Sequence, residues 1–391
     1  MTSSLQILIV YDCIFPGSVG GVERRNADLA VALADRGHRV TLAGWNPNGA
    51  ERRHGDRVEV LPVGPPTPLY DATGHRRAWA SVRFAFQCLR LDVRRFDVVE
   101  TAHIPYLHLL PLALKCRLAR RPLVVSWYEF WGPYWRRYVG RRRWRAYALV
   151  ERVAARAGTF ATASSRLTLD RLTPHRRRKP PGYLPCGIDL ARIDAAIAHH
   201  GREMAEAGPP LLYVGRLVPE KRIDLLLEAV ARLGPDARGA GRVLRIVGDG
   251  PDRLRLEGVV SELGIAGLVE FAGRLPSGDA VFAAMVEARI AVQPSSREGF
   301  GLFPLEAMAA RLPVIYCTSP ESAVAEIVRD GREGLAVEPT AEALTTAIVR
   351  LLHSEEERKR MAEAARRRAE EYSWAAVAAQ AEAILRIAVD L

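Results

Sequence analysis

From end to end, apolar runs of strand length alternate with amphipathic segments of helix length, and this alternation confines the chain to α/β folds built on parallel sheets. Neither an all-β nor an all-α chain reads this way. In the first half, strands are expected near Ile7–Tyr11, Arg39–Ala43, Val58–Val63, Val98–Thr101, Leu123–Trp127 and Thr159–Ala163, with helical segments such as Val22–Arg36 between them. A Pro- and Arg-rich stretch, Thr173–Gly187, interrupts the pattern. The segment Asp194–Glu206 then leads to Gly208-Pro209-Pro210, which marks a boundary. The alternation restarts with strands at Leu211–Val214, Val243–Val247, Val269–Ala272, Ile290–Gln293 and Val314–Tyr316, and helices at Ile223–Arg232 and Arg253–Leu263. From about Glu355 to Leu391 only helical periodicity is left. A chain of 391 residues is too long for one ordinary core. The expectation is therefore two doubly wound, Rossmann-like domains, 1–187 and 209–372, joined by a linker at 188–208. A helix at 373–391 would cross back to the first domain, and the two sheets would face a central cleft at the carboxyl ends of their strands.

Composition narrows the class. Hydrophobic residues make up 49% and charged residues 26%, enough to bury two cores without covalent staples. The five cysteines, Cys13, Cys88, Cys116, Cys186 and Cys317, are scattered without C-x-x-C spacing, so neither a zinc site nor a disulfide framework is expected, and a reducing, cytoplasmic setting fits. No apolar run approaches the ~20 residues that span a bilayer. The opening MTSSLQILIVYD reads as a first strand, not a signal peptide. The net charge is +11, nearly all of it from arginine. Arg136, Arg137, Arg141, Arg142, Arg143 and Arg145 are interleaved with Trp131, Tyr134, Trp135, Tyr138 and Trp144. That stretch reads equally as a solvated helix face with inward-packed aromatics or as a contact for a membrane surface or an acidic acceptor. No nucleic-acid recognition motif accompanies it.

Three loops carry candidate chemistry. Gly17-Ser18-Val19-Gly20-Gly21-Val22-Glu23 lies between the first strand and first helix, where backbone N–H groups and a helix N-terminus attract phosphate. It lacks the G-x-G-x-x-G spacing, and by itself it is equally a tight turn. In Gly215-Arg216-Leu217-Val218-Pro219-Glu220-Lys221, a strand ends at a glycine and two cations flank a helix entry, an arrangement that suits a diphosphate. In Ser295-Ser296-Arg297-Glu298-Gly299-Phe300-Gly301-Leu302, followed by Glu306, two carboxylates bracket a glycine-bearing loop. Glu306 would accept from a ribose diol and Glu298 from sugar hydroxyls, with N–H donors from Gly299 to Gly301. Ordinary solvated cations and carboxylates are the plain alternative for both segments.

The order GGVE, GRLVPEKRID, VGDGP and PSSREGFGLFPLEAM resembles family-4 retaining glycosyltransferases of the GT-B fold over nearly the whole chain. The resemblance implies that Arg216 and Lys221 neutralise a donor diphosphate and that Glu306 binds the ribose. Glu298, with Gly299, Phe300, Gly301 and Leu302, would hold the donor sugar. Gly248 and Asp249 would border the nucleotide and Arg274 with Leu275 the base, while the paired Gly20 and Gly21, by the geometry of their own loop, would let a phosphate approach closely. No metal and no cofactor beyond the nucleotide-sugar co-substrate are implied. His103, ending the segment Asp97–His103, matches the histidine near the reaction centre, with a role in positioning and polarisation. Together with Glu298, Arg216 and Lys221 it forms the expected catalytic set.

The pattern is broken in three places. Tyr128 stands where a histidine is usual, Arg311 where relatives generally have glycine, and Pro320-Glu321-Ser322-Ala323 where a Gly-Gly turn is common. The expected activity is hexosyl transfer with retained configuration from a nucleotide-sugar, a UDP-sugar ahead of GDP-mannose, to a small-molecule, glycan or lipid-linked acceptor. Peripheral contact with the inner face of a membrane is one reading of the basic stretch, and nucleic acid is not an expected partner. The alternatives are a nucleotide-sugar epimerase or a phosphorylase, and a basic membrane-binding module without catalysis.

Overall fold

The computed structural model of the protein describes residues 3–15, 20–46, 53–54, 57–69, 77–176, 179–200, 208–238 and 241–390. The chain divides into two compact units, one of Met1–Gly187 with Trp374–Leu391 and one of Ile188–Ser373.

The first unit is built on eight strands: β1 (Gln6–Cys13), β2 (Arg39–Trp45), β3 (Arg53–His54), β4 (Val58–Pro62), β5 (Val98–Ala102), β6 (Leu123–Trp127), β7 (Phe160–Ala163) and β8 (Gly182–Tyr183). Their order is β3-β4-β2-β1-β5-β6-β7-β8, parallel throughout except for β3 against β4. Both faces of the sheet are covered, so its strands are apolar on both sides. Ile7 and Ile9 point to one face and pack with Leu29 and Leu33 of helix Gly21–Asp35 and with Val377 and Leu385 of helix Trp374–Val389. Leu8 and Val10, one residue out of phase, point to the other face and pack with Phe84, Leu109 and Leu112 from helices Ala78–Cys88 and Leu109–Ala119. The chain's last helix thus belongs to the first unit. It is held there by Gln380 donating to the Tyr183 carbonyl at 2.7 Å and by Arg36 to Glu382 at 2.7 Å.

The second unit has six parallel strands: β9 (Leu211–Val214), β10 (Leu244–Val247), β11 (Val269–Gly273), β12 (Ile290–Gln293), β13 (Val314–Cys317) and β14 (Gly334–Val337), in the order β11-β10-β9-β12-β13-β14. Chain reversal between β9 and β12 gives the doubly wound arrangement. The range 188–208, expected as a linker, carries helix Leu190–His200, which joins the second unit through Arg192 to Asp279 and Asp194 to Arg366, both 2.7 Å. Three strands are absent from the sequence reading. β3 and β8 have two residues each, too few for any periodicity, and β14 begins with a glycine that reads as a turn. Gly334 is needed for another reason: a Cβ there would stand 1.9 Å from the Val314 carbonyl oxygen of the neighbouring strand.

Candidate functional site

In the second unit the switch point lies between β9 and β12, which pair with each other, and in doubly wound sheets ligands bind at the carboxyl ends of such strands. Arg216 and Lys221 follow β9 and Glu298 follows β12, so three of the four charged candidates come from these two strand ends. Glu306 lies one turn into helix Leu302–Ala309, which starts where that loop ends.

Direct backbone contact holds these loops together. Leu217 N–H donates to the Asp249 carbonyl at 3.0 Å, and Gly248 N–H to Gly273 at 2.7 Å. Gly248 has φ +125°, and a Cβ on it would stand 2.0 Å from the Gly215 carbonyl oxygen, so no other residue fits this crossing. Ser296 N–H and Oγ both reach the Glu220 carbonyl, at 2.9 and 3.1 Å, tying the β12 loop to the β9 loop. Across this tie, Lys221 Nζ is ion-paired with Glu298 Oε1, which also accepts from Gln293 Nε2. Gln293 in turn donates to Ser295 Oγ at 2.9 Å. Tyr213 is fully buried under the site, and burial, with the charge of Glu298 adding to it, keeps its hydroxyl protonated far beyond the usual range.

The remaining candidates fall around this centre. Gly301, at φ +104°, caps helix Leu302–Ala309, Phe300 is buried edge-on to Tyr372, and Arg274 is exposed beyond β11 with Leu275 half-buried. The substituted turn supports the loop: Ser319 Oγ donates to the Ser296 carbonyl at 2.6 Å, and Glu298 N–H to the Glu321 carbonyl at 3.2 Å. A cavity of about 270 Å³ opens beside it, lined by Tyr316 through Pro320, Ser322 and Ala325. Arg311 has φ +64°, the left-handed residue that ends helix Leu302–Ala309, which is why glycine suits that position.

In the first unit the switch point lies between β1 and β5. His103 directly follows β5 and is fully buried, stacked on Trp127 at 4.6 Å. Its Nδ1 lies 3.3 Å from the Ser126 carbonyl and 3.5 Å from the N–H of Tyr128, so the unusual Tyr128 sits in the histidine's own cluster. Below them, Arg25 donates to Glu100 at 2.6 Å, and Ser126 Oγ to the same carboxylate at 2.8 Å. A carboxylate in a strand buried on both sides demands such partners; Glu100 within the strand Val98–Ala102 signals in sequence that a partner is needed, and only the fold shows that it is Arg25. Another buried carboxylate, Glu151, accepts from Trp131 N–H at 2.8 Å, Gly132 N–H at 2.7 Å and Tyr106 Oη at 3.1 Å. Burial pushes it above the ordinary carboxylate range, although those hydrogen bonds pull it down. Gly20 caps helix Gly21–Asp35, and the carboxylate of Glu23 closes over it, 2.3 Å from where a Cβ would stand. Gly17, Ser18 and Val19 lie outside the described residues. Residues able to hold a metal through three or more His, Cys, Asp or Glu side chains do not cluster among the described residues.

Two family models match the chain, "Glycosyltransferase Family 4" over residues 19–192 and "Glycosyl transferases group 1" over residues 200–368. An MMP alpha-(1->4)-mannosyltransferase of Mycolicibacterium hassiacum is 31% identical over 307 residues, 77% of this chain and 68% of that protein. A GDP-mannose-dependent alpha-(1-6)-phosphatidylinositol dimannoside mannosyltransferase of Mycobacterium tuberculosis is 37% identical over 210 residues, 52% of this chain and 51% of that protein. Among solved structures, sucrose-phosphate synthase from Thermosynechococcus elongatus superposes with a TM-score of 0.79 at 20% identity, covering 97% of this chain and 98% of that one. The two-domain α/β architecture is that of the GT-B fold.

Proposed function

The chain belongs to the glycosyltransferases of family 4, and from that premise we propose that it moves a hexosyl group from a nucleoside-diphosphate sugar to an acceptor hydroxyl with retention of configuration and without a metal ion. The observation that carries this reading is the pairing of chemistry with topology: the cations Arg216 and Lys221 leave one switch-point strand and Glu298 leaves the other. Arg216 offers the diphosphate a bidentate fork. The Lys221 ammonium has three donors and binds a phosphate oxygen while keeping Glu298. The N-terminus of helix Ile223–Ala231 adds its dipole. Two fixed cations and a helix end stabilise a departing diphosphate without a divalent ion.

Both partners of Glu298 sit on Oε1, which leaves Oε2 to accept from a donor-sugar hydroxyl. Glu306 takes the ribose diol, and the Gly248–Asp249 and Arg274–Leu275 positions take the nucleoside. In the transfer step the C1–O bond to the diphosphate breaks while the acceptor oxygen bonds to C1 on the same face. The acceptor proton passes to the leaving phosphate, and His103 positions and polarises the donor sugar. The acceptor is a glycan, a lipid-linked intermediate or a small aglycone.

For the donor, the mannosyltransferase names of relatives at 31 and 37% identity support GDP-mannose beside the UDP-sugar preferred on sequence. Incubation with UDP-glucose, UDP-galactose and GDP-mannose over an acceptor panel, with NMR of the product, tests the reading. An α-linked product from an α-linked donor, formed in excess EDTA, is the expected result. Inverted linkage, a requirement for metal, or nucleotide-sugar conversion without an acceptor contradicts it.

A further inference from the structure

The excess positive charge is confined to one unit. The first unit holds 32 Lys and Arg against 16 Asp and Glu, whereas the second holds 24 against 29. Within the first unit the charge is concentrated again. Helices Ala78–Cys88, Leu109–Ala119, Trp135–Tyr138 and Gly140–Ala154 carry ten basic residues and one acidic residue, Glu151, which is buried.

Three of these helices also share the exposed apolar surface. The inner sides of Ala78–Cys88, Leu109–Ala119 and the end of Gly140–Ala154 bury Phe84, Leu112 and Ala154 in a single cluster on one sheet face. Their outer sides expose Trp79 and Phe86, each 66% accessible, and Leu118, 73% accessible. Leu110, Leu114 and Leu118 recur every four residues, forming a stripe along one helix. Helix Gly140–Ala154 exposes Tyr147, Leu149, Val150 and Val153 beside Arg141, Arg142, Arg143, Arg145 and Arg152. In the second unit only Leu254 and Leu263 are exposed large hydrophobics among the described residues. Single exposed leucines are ordinary, but so many on one helical layer mark an interaction surface.

We propose that this outer helical layer of the first unit docks onto an anionic lipid bilayer. Its two components match the two zones of a bilayer surface: aliphatic and aromatic side chains enter the acyl boundary while arginines reach the headgroup phosphates. Nucleic acid fits less well, because Trp131 and Trp135 are packed on each other at 4.5 Å and on Tyr138 and Tyr147, so they offer no free stacking platform. A leucine stripe has no function against a phosphate backbone. The layer is also connected to the first unit's switch point. Glu151, on the inner side of helix Gly140–Ala154, holds Tyr106, whose ring lies 5.6 Å from that of His103.

The test is co-sedimentation of the full chain with phosphatidylcholine vesicles, with and without phosphatidylglycerol. Binding is expected on the anionic vesicles only, and weaker by about tenfold or more in high salt, where the Debye length falls to ~3 Å. Arg141→Ser, Arg142→Ser and Arg143→Ser together are expected to cut it about tenfold or more. Leu114→Ser with Leu118→Ser, at exposed positions that leave the core intact, is expected to weaken it as well. Unchanged melting and unchanged nucleoside-diphosphate binding verify that the variants are folded. No sedimentation with anionic vesicles, parent-like binding by either variant, or displacement of vesicles by equimolar RNA overturns the proposal. A chain that binds vesicles but no nucleoside diphosphate breaks the donor assignment and leaves this one standing.

Discussion

The arginines of the second unit are mostly turned on its own carboxylates, whereas those on the basic helices of the first unit face outward. Arg245 bridges Glu270 and Glu287, Arg366 bridges Asp194 and Glu370, and Arg350 holds Glu357. Arg136, Arg137, Arg141, Arg142, Arg143 and Arg145 make no ion pair among the described residues. Arginine thus serves two purposes. In one unit charge is consumed internally, by pairs within and between its own helices and strands. In the other it is left to a partner of opposite sign. The total of +11 conceals this division.

The comparison breaks most visibly through catalysis. Lys221→Ala and Glu306→Ala are each expected to lower kcat/KM by about 10²–10³-fold, the loss typical of one charge-stabilising donor or orienting contact. The Arg141, Arg142, Arg143 triple replacement should leave turnover of a water-soluble acceptor within about twofold. Steady-state kinetics with the preferred donor distinguish the two, and equal losses would erase the division of labour. Next in size is Gly248→Ala. It forces a Cβ onto the Gly215 carbonyl at φ +125° and should cost about 3 kcal/mol of stability. Thermal melting would show a loss large enough to disorder the site loops, and a parent-like melt would mean that the crossing is loose.

The first unit also has a face where charge is paired, and pH reads it. Desolvation alone would raise the Glu382 carboxyl, but hydrogen bonds from Arg386 and Arg36, with the charges of Arg36 and His38, outweigh it and hold the group at about 2. A depressed carboxyl contributes stability above its unfolded value of about 4.5, and that contribution fades as pH falls toward 2. Glu382→Gln should therefore cost about 1–2 kcal/mol at neutral pH, discounted for the exposure of Arg36, with the difference from the parent shrinking below pH 4 in acid melts. The smallest effect is a gain. Arg311→Gly relieves a left-handed arginine and sacrifices only an exposed pair with Glu363, so about 0.5–1 kcal/mol of added stability is expected in urea titrations.

Much of this was legible in the sequence because it depends on periodicity and on short, local segments. The principal strands were placed to within one or two residues, since a strand buried on both faces is an uninterrupted apolar run. The switch-point loops were legible too, because glycine, cation and carboxylate follow each strand at fixed short spacing. What was hidden depends on neighbours distant in sequence. Gln293 was in view within its segment, but its hydrogen bond to Glu298 follows from the fold of the loop. Arg25 and Glu100, 75 residues apart, meet only across helix and sheet. The aromatics near Trp131 partly pack inward, as the plain reading of that stretch held, while the apolar face extends to Trp79, Phe86 and the leucines of Leu109–Ala119, which only side-by-side helix packing brings together.

The central claim is that the second unit grips a nucleoside diphosphate between the ends of β9 and β12. Isothermal titration of UDP, GDP and ADP into the parent chain and into Lys221→Ala measures it directly. Binding of at least one of the three at one site per chain, weakened about tenfold or more by the substitution, is the expected result. No binding by any of the three, or parent-like affinity in the variant, would contradict it.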